Sequence, residues 1–386
     1  MLSFLTVREL FDLSRENNPL ELDQIEYVQL EGWIKKIKND SIELNDGSYF
    51  KSVKINFDVD FDASQLRLGQ AISVVSKFEV VHFAKQRFSL NATTILVLAD
   101  CDNSFEELSK DNRTTVRVKT DLYAALFKIR SSIMMSIHEF YQHQGFIYVN
   151  TPSMNNSLKQ KLETESYIIA FRDVYSLQAS VVDKSELWQQ VTEIAFADID
   201  DALDLLEELI KAIVVDVLDN CYLELDYLQN HVDNSLINDL RMIVNNDFVR
   251  LTSKNCKEEA IKNGFSDLTD EAKLFLSKNI YQTGLFILNS ESNEFFIKDN
   301  DKKVNNAELV LFKSTSFKIF QEEENFESLK DRIDNQEYDW YLNLRKFGMI
   351  NHAGFNFDIE SLLLVICGFN DLNDVKILGG ENVLSR

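Results

Sequence analysis

The chain has 386 residues and a formal net charge of −23, from 40 Lys and Arg against 63 Asp and Glu. This balance argues against a protein whose main role is to bind a phosphate backbone, because such binding needs clustered positive charge, but it leaves a local basic patch open. Hydrophobic residues make up 45% of the chain, which excludes a mostly disordered protein.

The cysteines and the apolar segments give expectations about compartment. The 4 cysteines lie far apart, with no CxxC pair and no histidine at ligand spacing, which disfavours a zinc site or a disulfide framework. The first 18 residues carry no apolar signal-peptide core, and we find no apolar run long enough to span a bilayer. We therefore expect a cytoplasmic protein with no membrane partner.

The N-terminal part of the chain has the pattern of a small β-barrel. Short alternating runs fill Tyr27–Asp100, and Asn45–Ser48 reads as a tight turn between two of them. Five strands without long intervening helices suit an OB-fold, and a small β-sandwich is the alternative. We assign residues 1–100 to this N-terminal segment and barrel domain.

Residues 101–120 are polar and charged and are typical of a linker. After them, apolar residues recur every three or four positions between Leu122 and Phe140, which predicts a helix that ends near Gly145. An extended segment follows, and Pro152 is expected to terminate it.

Strands and helices then interleave without regular βαβ spacing, which predicts an α+β domain over residues 121–386, with a sheet covered by helices. The clearest helix is Asp198–Asn220, which has an apolar stripe and an acidic first half. We also predict helices at Asn234–Val249 and at Glu327–Phe347. A third helix is predicted to begin after Thr269, which would be its N-cap.

Five ordered segments resemble the class II aminoacyl-tRNA synthetases, and within them the asparaginyl branch of the aspartyl/asparaginyl group. The matching segments are Gln29–Asp40 with Asn45–Phe50, Val118–Pro152, Ser185–Lys211, Glu337–Phe355 and Gly368–Leu378. The resemblance implies an anticodon-binding OB-fold followed by a class II antiparallel sheet domain flanked by helices.

The departures from the family pattern fall where the resemblance implies an ATP site. The motif 2 arginine aligns near Val181 or Val182, and Glu186 follows at once, without the family's loop. Ser361 stands at the motif 3 arginine, and Asp358 lies where the family has small residues. Before motif 3, the family has a run of residues that bind metal and substrate. In this chain the resemblance keeps only Glu308 of that run.

These departures lead us to expect that adenylation is lost, because each missing phosphate-binding arginine costs about 10²–10³ in rate. Lys184 and Lys313 are the nearby cations in the sequence, and a lysine lacks the bidentate fork of arginine. We therefore predict a catalytically inactive, dimeric pseudoenzyme with no catalytic residue, cofactor or metal, acting as a regulatory, accessory or scaffolding subunit.

Two alternatives stay open. One is an asparaginyl-tRNA synthetase-like ligase that still activates aspartate or asparagine with ATP and Mg²⁺. The other is an amino-acid sensor that keeps a remodelled pocket without turnover.

Motif 1 forms the two-fold interface in the family, so the resemblance implies a dimer. The implied interface residues are Ile129, Arg130, Ile133, Ile137, Phe146 and Pro152. We expect a homodimer, or a heterodimer with a synthetase-like or biosynthetic protein. The barrel offers only the lysines of Lys35–Lys38 beside Trp33, which disfavours tRNA as a partner.

Overall fold

The protein divides into two compact units, with the boundary between Ala125 and Leu126. The computed structural model describes residues 2–15, 25–57, 65–81, 88–109, 118–151, 157–182, 185–290, 292, 294–300, 303–333 and 335–376.

The first unit is a closed barrel. Its elements are β1 (Leu2–Phe4), α1 (Val7–Arg15), β2 (Tyr27–Ile37), β3 (Ser41–Asn45), β4 (Val53–Asn56), β5 (Ala71–Val80), β6 (Phe88–Ala99) and the short α2 (Phe105–Leu108). Strand β2 pairs with both β3 and β5, so the order β2-β3-β4-β6-β5 closes on itself, and β1 adds to β2 in parallel. The prediction of a five-stranded OB-fold barrel is therefore confirmed.

Alternation of apolar and polar residues builds this barrel. On β2, Val28, Leu30 and Ile34 are buried, and they join a core supplied by the other strands and by α1. The predicted turn forms at Gly47, where φ is +81° and the Asn45 side chain accepts a hydrogen bond from the Gly47 N–H.

The second unit contains most of the remaining elements. Helix α3 (Asp121–Gln144) contains the boundary between the units. The strands that follow are β7 (Ile147–Tyr148), β8 (Asp173–Val182), β9 (Ser185–Ala195), β10 (Val249–Thr252), β11 (Leu285–Leu288), β12 (Asp299–Asn300), β13 (Lys303–Val304), β14 (Asn306–Leu311), β15 (Ser314–Gln321) and β16 (His352–Asp358). The helices are α4 (Ser157–Ser166), α5 (Ile199–Asn220), α6 (Tyr222–His231), α7 (Leu236–Asn245), α8 (Ser253–Lys262), α9 (Asp270–Phe275), α10 (Phe326–Lys330), α11 (Asp339–Leu344), α12 (Ile359–Cys367) and α13 (Leu372–Val375).

An eight-stranded sheet in the order β10-β11-β14-β15-β16-β9-β8-β7 organises this unit. Its central pairs are antiparallel, and parallel pairs lie at both edges, β10 with β11 and β7 with β8. Helix α4 packs on β8 and β9, and α12 packs on β9 and β15. The predicted α+β class, with a class II synthetase-type sheet flanked by helices, is confirmed.

Two helix predictions were too long. The single helix predicted at Glu327–Phe347 is instead α10, a turn of 3₁₀ helix and α11, because Asn325 and Asn335 each start a new helix with their side-chain oxygens. The helix predicted to reach Val249 ends at Asn245, since Val249 belongs to β10. None of the helices in the described residues has the length and apolarity that a membrane span requires.

The N-terminus of α5 carries a reciprocal cap. The Asp198 side chain accepts hydrogen bonds from the N–H groups of Asp200 and Asp201, and the Asp201 side chain accepts one from the N–H of Asp198. This arrangement satisfies N–H groups that have no partner inside the helix.

We predict that Asp198→Ala lowers the free energy of unfolding by about 1 kcal/mol, because these N–H groups lose their acceptor. Urea denaturation measures the change. Glu208→Ala, an exposed acidic residue on the same helix, is the control and should change the value by less than about 0.5 kcal/mol. Equal losses in the two variants would contradict the capping role.

Candidate active site

The face of the large sheet that packs against α4 carries most of the candidate site, and we call it the α4 face. Cross-strand partners point to the same face, so the register defines its rows. The first row holds Glu193, Gly354, Phe320 and Asn306, the second holds Val191, Asn356, Lys318 and Glu308, and the third holds Gln189 and Asp358. Thr192 points to the opposite face, where its hydroxyl meets Tyr141 of α3.

At the first row, the ammonium group of Lys161 from α4 is enclosed by carboxylates and aromatic rings. Its Nζ lies 2.6 Å from Glu322 Oε1, 3.2 Å from Glu193 Oε1 and 3.4 Å from Glu165 Oε2. It also lies 4.3 Å from the ring centre of Phe296 and 5.3 Å from that of Phe320. We call Glu165, Glu193, Glu322, Phe296 and Phe320 the cation cage. Lys161 is only 3% exposed, and the three carboxylates are fully buried.

Further side chains hold Glu165 in place. Arg345 Nη2 donates to Glu165 Oε1 at 2.8 Å, and the Tyr341 hydroxyl donates to both carboxylate oxygens at 2.8 Å. His352 donates from Nε2 to Glu165 Oε1 at 3.0 Å and from Nδ1 to the Ile350 carbonyl at 2.8 Å. Burial lowers the pKa of His352, but the Glu165 carboxylate outweighs burial and raises that pKa overall.

The cage separates the pKa values of its carboxyl groups. Burial raises the pKa of Glu193 well above its usual range, and the neighbouring Glu322 raises it further. Burial opposes ionisation of Glu165 as well, but the charges of Arg345 and Lys161 lower its pKa overall. The cations around Glu165 thus favour its ionised form, whereas burial disfavours ionisation of Glu193.

The cage carboxylates do not fit a resident metal ion. Oxygens of Glu165, Glu193 and Glu322 lie within 4.8 Å of one another, a separation that suits a shared cation. The Lys161 ammonium, however, contacts all three and takes the place that a cation would fill. We therefore derive no step through magnesium at this position.

The α4 face is rich in hydrogen-bond acceptors. Within the described residues, buried side-chain oxygens of Glu193, Glu322, Gln189, Asn306 and Asn356 have no hydrogen-bond partner. Buried acceptors without donors are costly, so such a surface favours a ligand that donates hydrogen bonds. On the same face, Lys318 is an exposed cation.

The residues predicted at the degenerate ATP site come from β8, β9, β14, β16 and α12. Val182 ends β8 and pairs with Ser185, which leaves only residues 183 and 184 between the strands. The side chains of Val182 and Glu186 and all of Lys184 lie outside the described residues. Glu308 lies on β14 and forms a 2.8 Å ion pair with Lys273 of α9. Lys313 is paired with Asp233 at 2.8 Å.

Asp358 and Ser361 lie where β16 passes into α12. Ser361 is buried in that helix. Burial raises the pKa of Asp358 to about 6, Glu360 adds to the rise and Lys318 opposes it. Glu360 itself is paired inside the unit, since Arg130 Nη1 donates to it at 2.8 Å and the Trp188 N–H donates to it at 2.9 Å.

Most of the side chains predicted at a dimer interface point into the chain. Ile129, Ile133 and Ile137 are fully buried, and Arg130 and Phe146 are each 6% exposed. The exposed apolar side chains nearby in the sequence belong to α3 and β7, namely Met135, Ile147 and Tyr148. Pro152 lies outside the described residues.

Sequence reasoning missed the cage. Lys161 and Glu322 are 161 positions apart, and no local pattern joins them. One signal for the cage was available in the sequence. Val191 and Ala195 of β9 are buried, and Glu193 lies between them on the same side of the strand, where an apolar residue would be expected.

A family model described as tRNA synthetases class II (D, K and N) matches residues 181–380. The chain belongs to this family. The asparagine–tRNA ligase of Alkaliphilus oremlandii is 27% identical over 90% of this chain and 93% of its own, and that of Bacillus cytotoxicus is 29% identical over the same shares. The asparaginyl-tRNA synthetase structure from Pyrococcus horikoshii has a TM-score of 0.78 at 18% identity, covering 91% of this chain and 94% of that one.

These findings confirm the resemblance and correct the function drawn from it. The relatives are ligases matched over nine-tenths of this chain, barrel included, and this overturns the prediction of an inactive pseudoenzyme. The expectation that tRNA is not a partner also lacks support, because the relatives are named tRNA ligases. The alignment spans 432 positions although it covers only 90% of the 386 residues here, so the relatives contain segments that this chain lacks.

The raised pKa of Asp358 gives a pH prediction. Its folded value of about 6 lies above the unfolded value of about 3.9, so Asp358 destabilises the fold increasingly as the pH rises from about 4 to above 6. We expect Asp358→Asn to match the original protein near pH 4 and to exceed it above pH 6 by up to about 3 kcal/mol in free energy of unfolding. Urea denaturation from pH 4 to 8 tests this, and a constant difference across that range would contradict it.

Proposed function

We propose that this protein is an ATP-dependent amino-acid ligase of the asparaginyl-tRNA synthetase type, working in the cytoplasm. In this reaction class the carboxyl oxygen of the amino acid attacks the α-phosphorus of ATP, pyrophosphate leaves, and the acyl group passes from the adenylate to tRNA. The observation that carries the proposal is the match to asparagine–tRNA ligases over 90% of this chain and 93% of theirs.

The α4 face supports asparagine rather than aspartate as the substrate. Asparagine presents an ammonium group and a side-chain amide, both of which donate hydrogen bonds. The unpaired oxygens of Glu193, Asn356 and Gln189 accept them. Aspartate would bring a second carboxylate against these acceptors, and an unpaired buried charge is costly.

The same face offers little positive charge to ATP. Among the described residues of this face, Lys318 is an exposed cation, and Asp358 lies close enough to it for the two charges to interact. Ser361 brings no charge where the resemblance implies an arginine. One lysine is a point charge without a bidentate fork. We therefore expect a slow ligase with a high KM for ATP.

We also propose tRNA as the acyl acceptor and a second copy of the chain as a partner. The names of the relatives support the first. The partnership with a second copy is supported by the exposed apolar side chains of Met135, Ile147 and Tyr148. These residues belong to α3 and β7, which are in contact because the His138 ring lies 5.0 Å from the Tyr148 ring.

Amino-acid-dependent ATP–pyrophosphate exchange, measured with each of the twenty amino acids, tests the proposal. We expect exchange with asparagine and none above background with aspartate. Asn356→Leu should lower kcat/KM for asparagine about 10-fold, as expected when one neutral hydrogen bond is lost. Asn373→Leu, at an exposed position, is the matched control. A folded protein that shows no exchange with any amino acid would contradict the proposal.

The dimer is tested separately by sedimentation equilibrium. We expect a dimer for the original protein and at least a 10-fold weaker association for Met135→Glu, because a buried unpaired carboxylate costs about 1.4 kcal/mol or more. Ile261→Glu, at a position that is also exposed but lies on α8, should not change the association. A monomeric original protein at micromolar concentration would rule out this interface.

A further inference from the structure

We propose that the outer edge of β6, residues 92–99, pairs in antiparallel orientation with the same edge of a second copy of the chain. This contact lies on the barrel unit, whereas Met135, Ile147 and Tyr148 of the proposed dimer surface lie in the second unit. The pairing goes beyond the proposed function and does not depend on it.

The second half of β6 is an edge strand. On one side, β6 pairs with β5 along its whole length, from Phe88 to Ala99. On the other side, β4 pairs with β6 only at Leu90 and Asn91. Of the strands that the structure describes, β5 is therefore the sole neighbour of residues 92–99. The backbone groups that point away from β5 form a row of donors and acceptors, which is the template that a further strand needs.

This edge is apolar and exposed. Leu96, Val97 and Leu98 are 59%, 42% and 50% exposed. The sequence from Phe88 to Ala99 contains no charged residue and no proline. Charged side chains and proline are the residues with which proteins protect an edge strand from another strand. Three consecutive exposed apolar side chains on an edge without them indicate a surface that is covered in an assembly.

The charge of the chain favours this edge as the contact between two copies. The chain carries a net charge of −23, so two copies repel each other over most possible contacts. Two β6 edges bring no like charges together. The first charged residue after the strand is Asp100, whose carboxylate is already paired with Arg67 at 3.5 Å and accepts a hydrogen bond from Gln70 at 2.7 Å.

The apolar residues of β6 also complement an antiparallel copy of themselves. With a two-fold axis at Leu96, the Leu96 side chains of the two copies lie opposite each other, and Ile95 lies opposite Val97. Apolar cross-strand pairs of this kind stabilise neighbouring strands. The same edge on both partners therefore gives a matched contact, which commits the proposal to a second copy as the occupant.

The pairing is expected to be weak, because its regular part is short. The register with β5 skips Thr93 and Leu98, so β-bulges at these two residues bound the regular stretch. Small interfaces are typical of transient contacts. A chain with two different two-fold surfaces joins more than two copies. We expect the protein to be a dimer at about 5 µM and to form larger assemblies at about 500 µM.

Sedimentation equilibrium of Met135→Glu tests the pairing, because this variant weakens the other surface and leaves β6 intact. We expect the variant to be mainly monomeric at about 5 µM and mainly dimeric at about 500 µM. Adding Leu96→Lys should weaken this remaining association at least about 10-fold, because like charges directly opposite each other destabilise a strand pair. Leu96 is 59% exposed, so the barrel should tolerate the change.

Phe4→Lys, added to Met135→Glu in the same way, is the matched control. Phe4 is 71% exposed and lies on β1, so this variant puts the same charge on another exposed apolar position of the barrel. It should leave the association unchanged. A Met135→Glu protein that stays monomeric at about 500 µM, or an association that Leu96→Lys and Phe4→Lys affect equally, would overturn the proposal.

Hydrogen exchange of the original protein locates the contact without a substitution. We expect the amides of residues 92–99 to exchange at least about 3-fold more slowly at about 500 µM than at about 5 µM, because pairing gives the outward N–H groups acceptors. Amides of β1 should exchange at the same rate at both concentrations. Equal exchange of residues 92–99 at the two concentrations would contradict the pairing and leave this edge to a strand of another protein.

Failure of the pairing is distinguishable from failure of the ligase function. In dilute solution, Leu96→Lys should leave ATP–pyrophosphate exchange unchanged, because Leu96 lies on the barrel. Association through β6 is measured without ATP or asparagine, so its presence or absence is independent of any exchange activity.

Discussion

The second unit depends on one buried interaction, the Lys161 ammonium enclosed by Glu165, Glu193 and Glu322. Its pKa is raised well above the usual value for lysine, because these carboxylates outweigh the cost of burial. Removing one partner of such a cluster leaves an uncompensated buried charge, which typically costs about 3–5 kcal/mol. The ion cluster therefore fixes α4 on the sheet.

The remaining features of the α4 face follow from that enclosure. Arg345 and His352 help to lower the pKa of Glu165, whereas burial raises the pKa of Glu193. The result is a surface with many hydrogen-bond acceptors and few cations, which suits an ammonium and an amide better than a triphosphate. The chain belongs to the class II tRNA synthetase family, and the proposed reaction class and substrate rest on that membership together with the local chemistry of this face.

The sequence predicts elements whose signals are local. The barrel, helix α3 with its end at Gly145, and the acidic, amphipathic helix α5 all form as expected. The helix predicted at Glu327–Phe347 fails, because asparagine N-caps interrupt a continuous apolar pattern.

The site was less predictable, for a physical reason. Its charged residues come from α4, β9 and the segment that follows β15, so only the tertiary fold brings Lys161 to Glu193 and Glu322. The resemblance pointed to Glu308 and Ser361, but Glu308 is paired with Lys273 and Ser361 is buried in α12. Motif comparison finds positions that have changed, and it does not find new contacts made by other residues.

A crystal structure of the protein with bound asparagine tests the central claim most directly. The account predicts asparagine on the α4 face, with its ammonium group and side-chain amide donating to the oxygens of Glu193, Asn356 and Gln189. Asparagine bound elsewhere, without contact to these oxygens, would contradict the account.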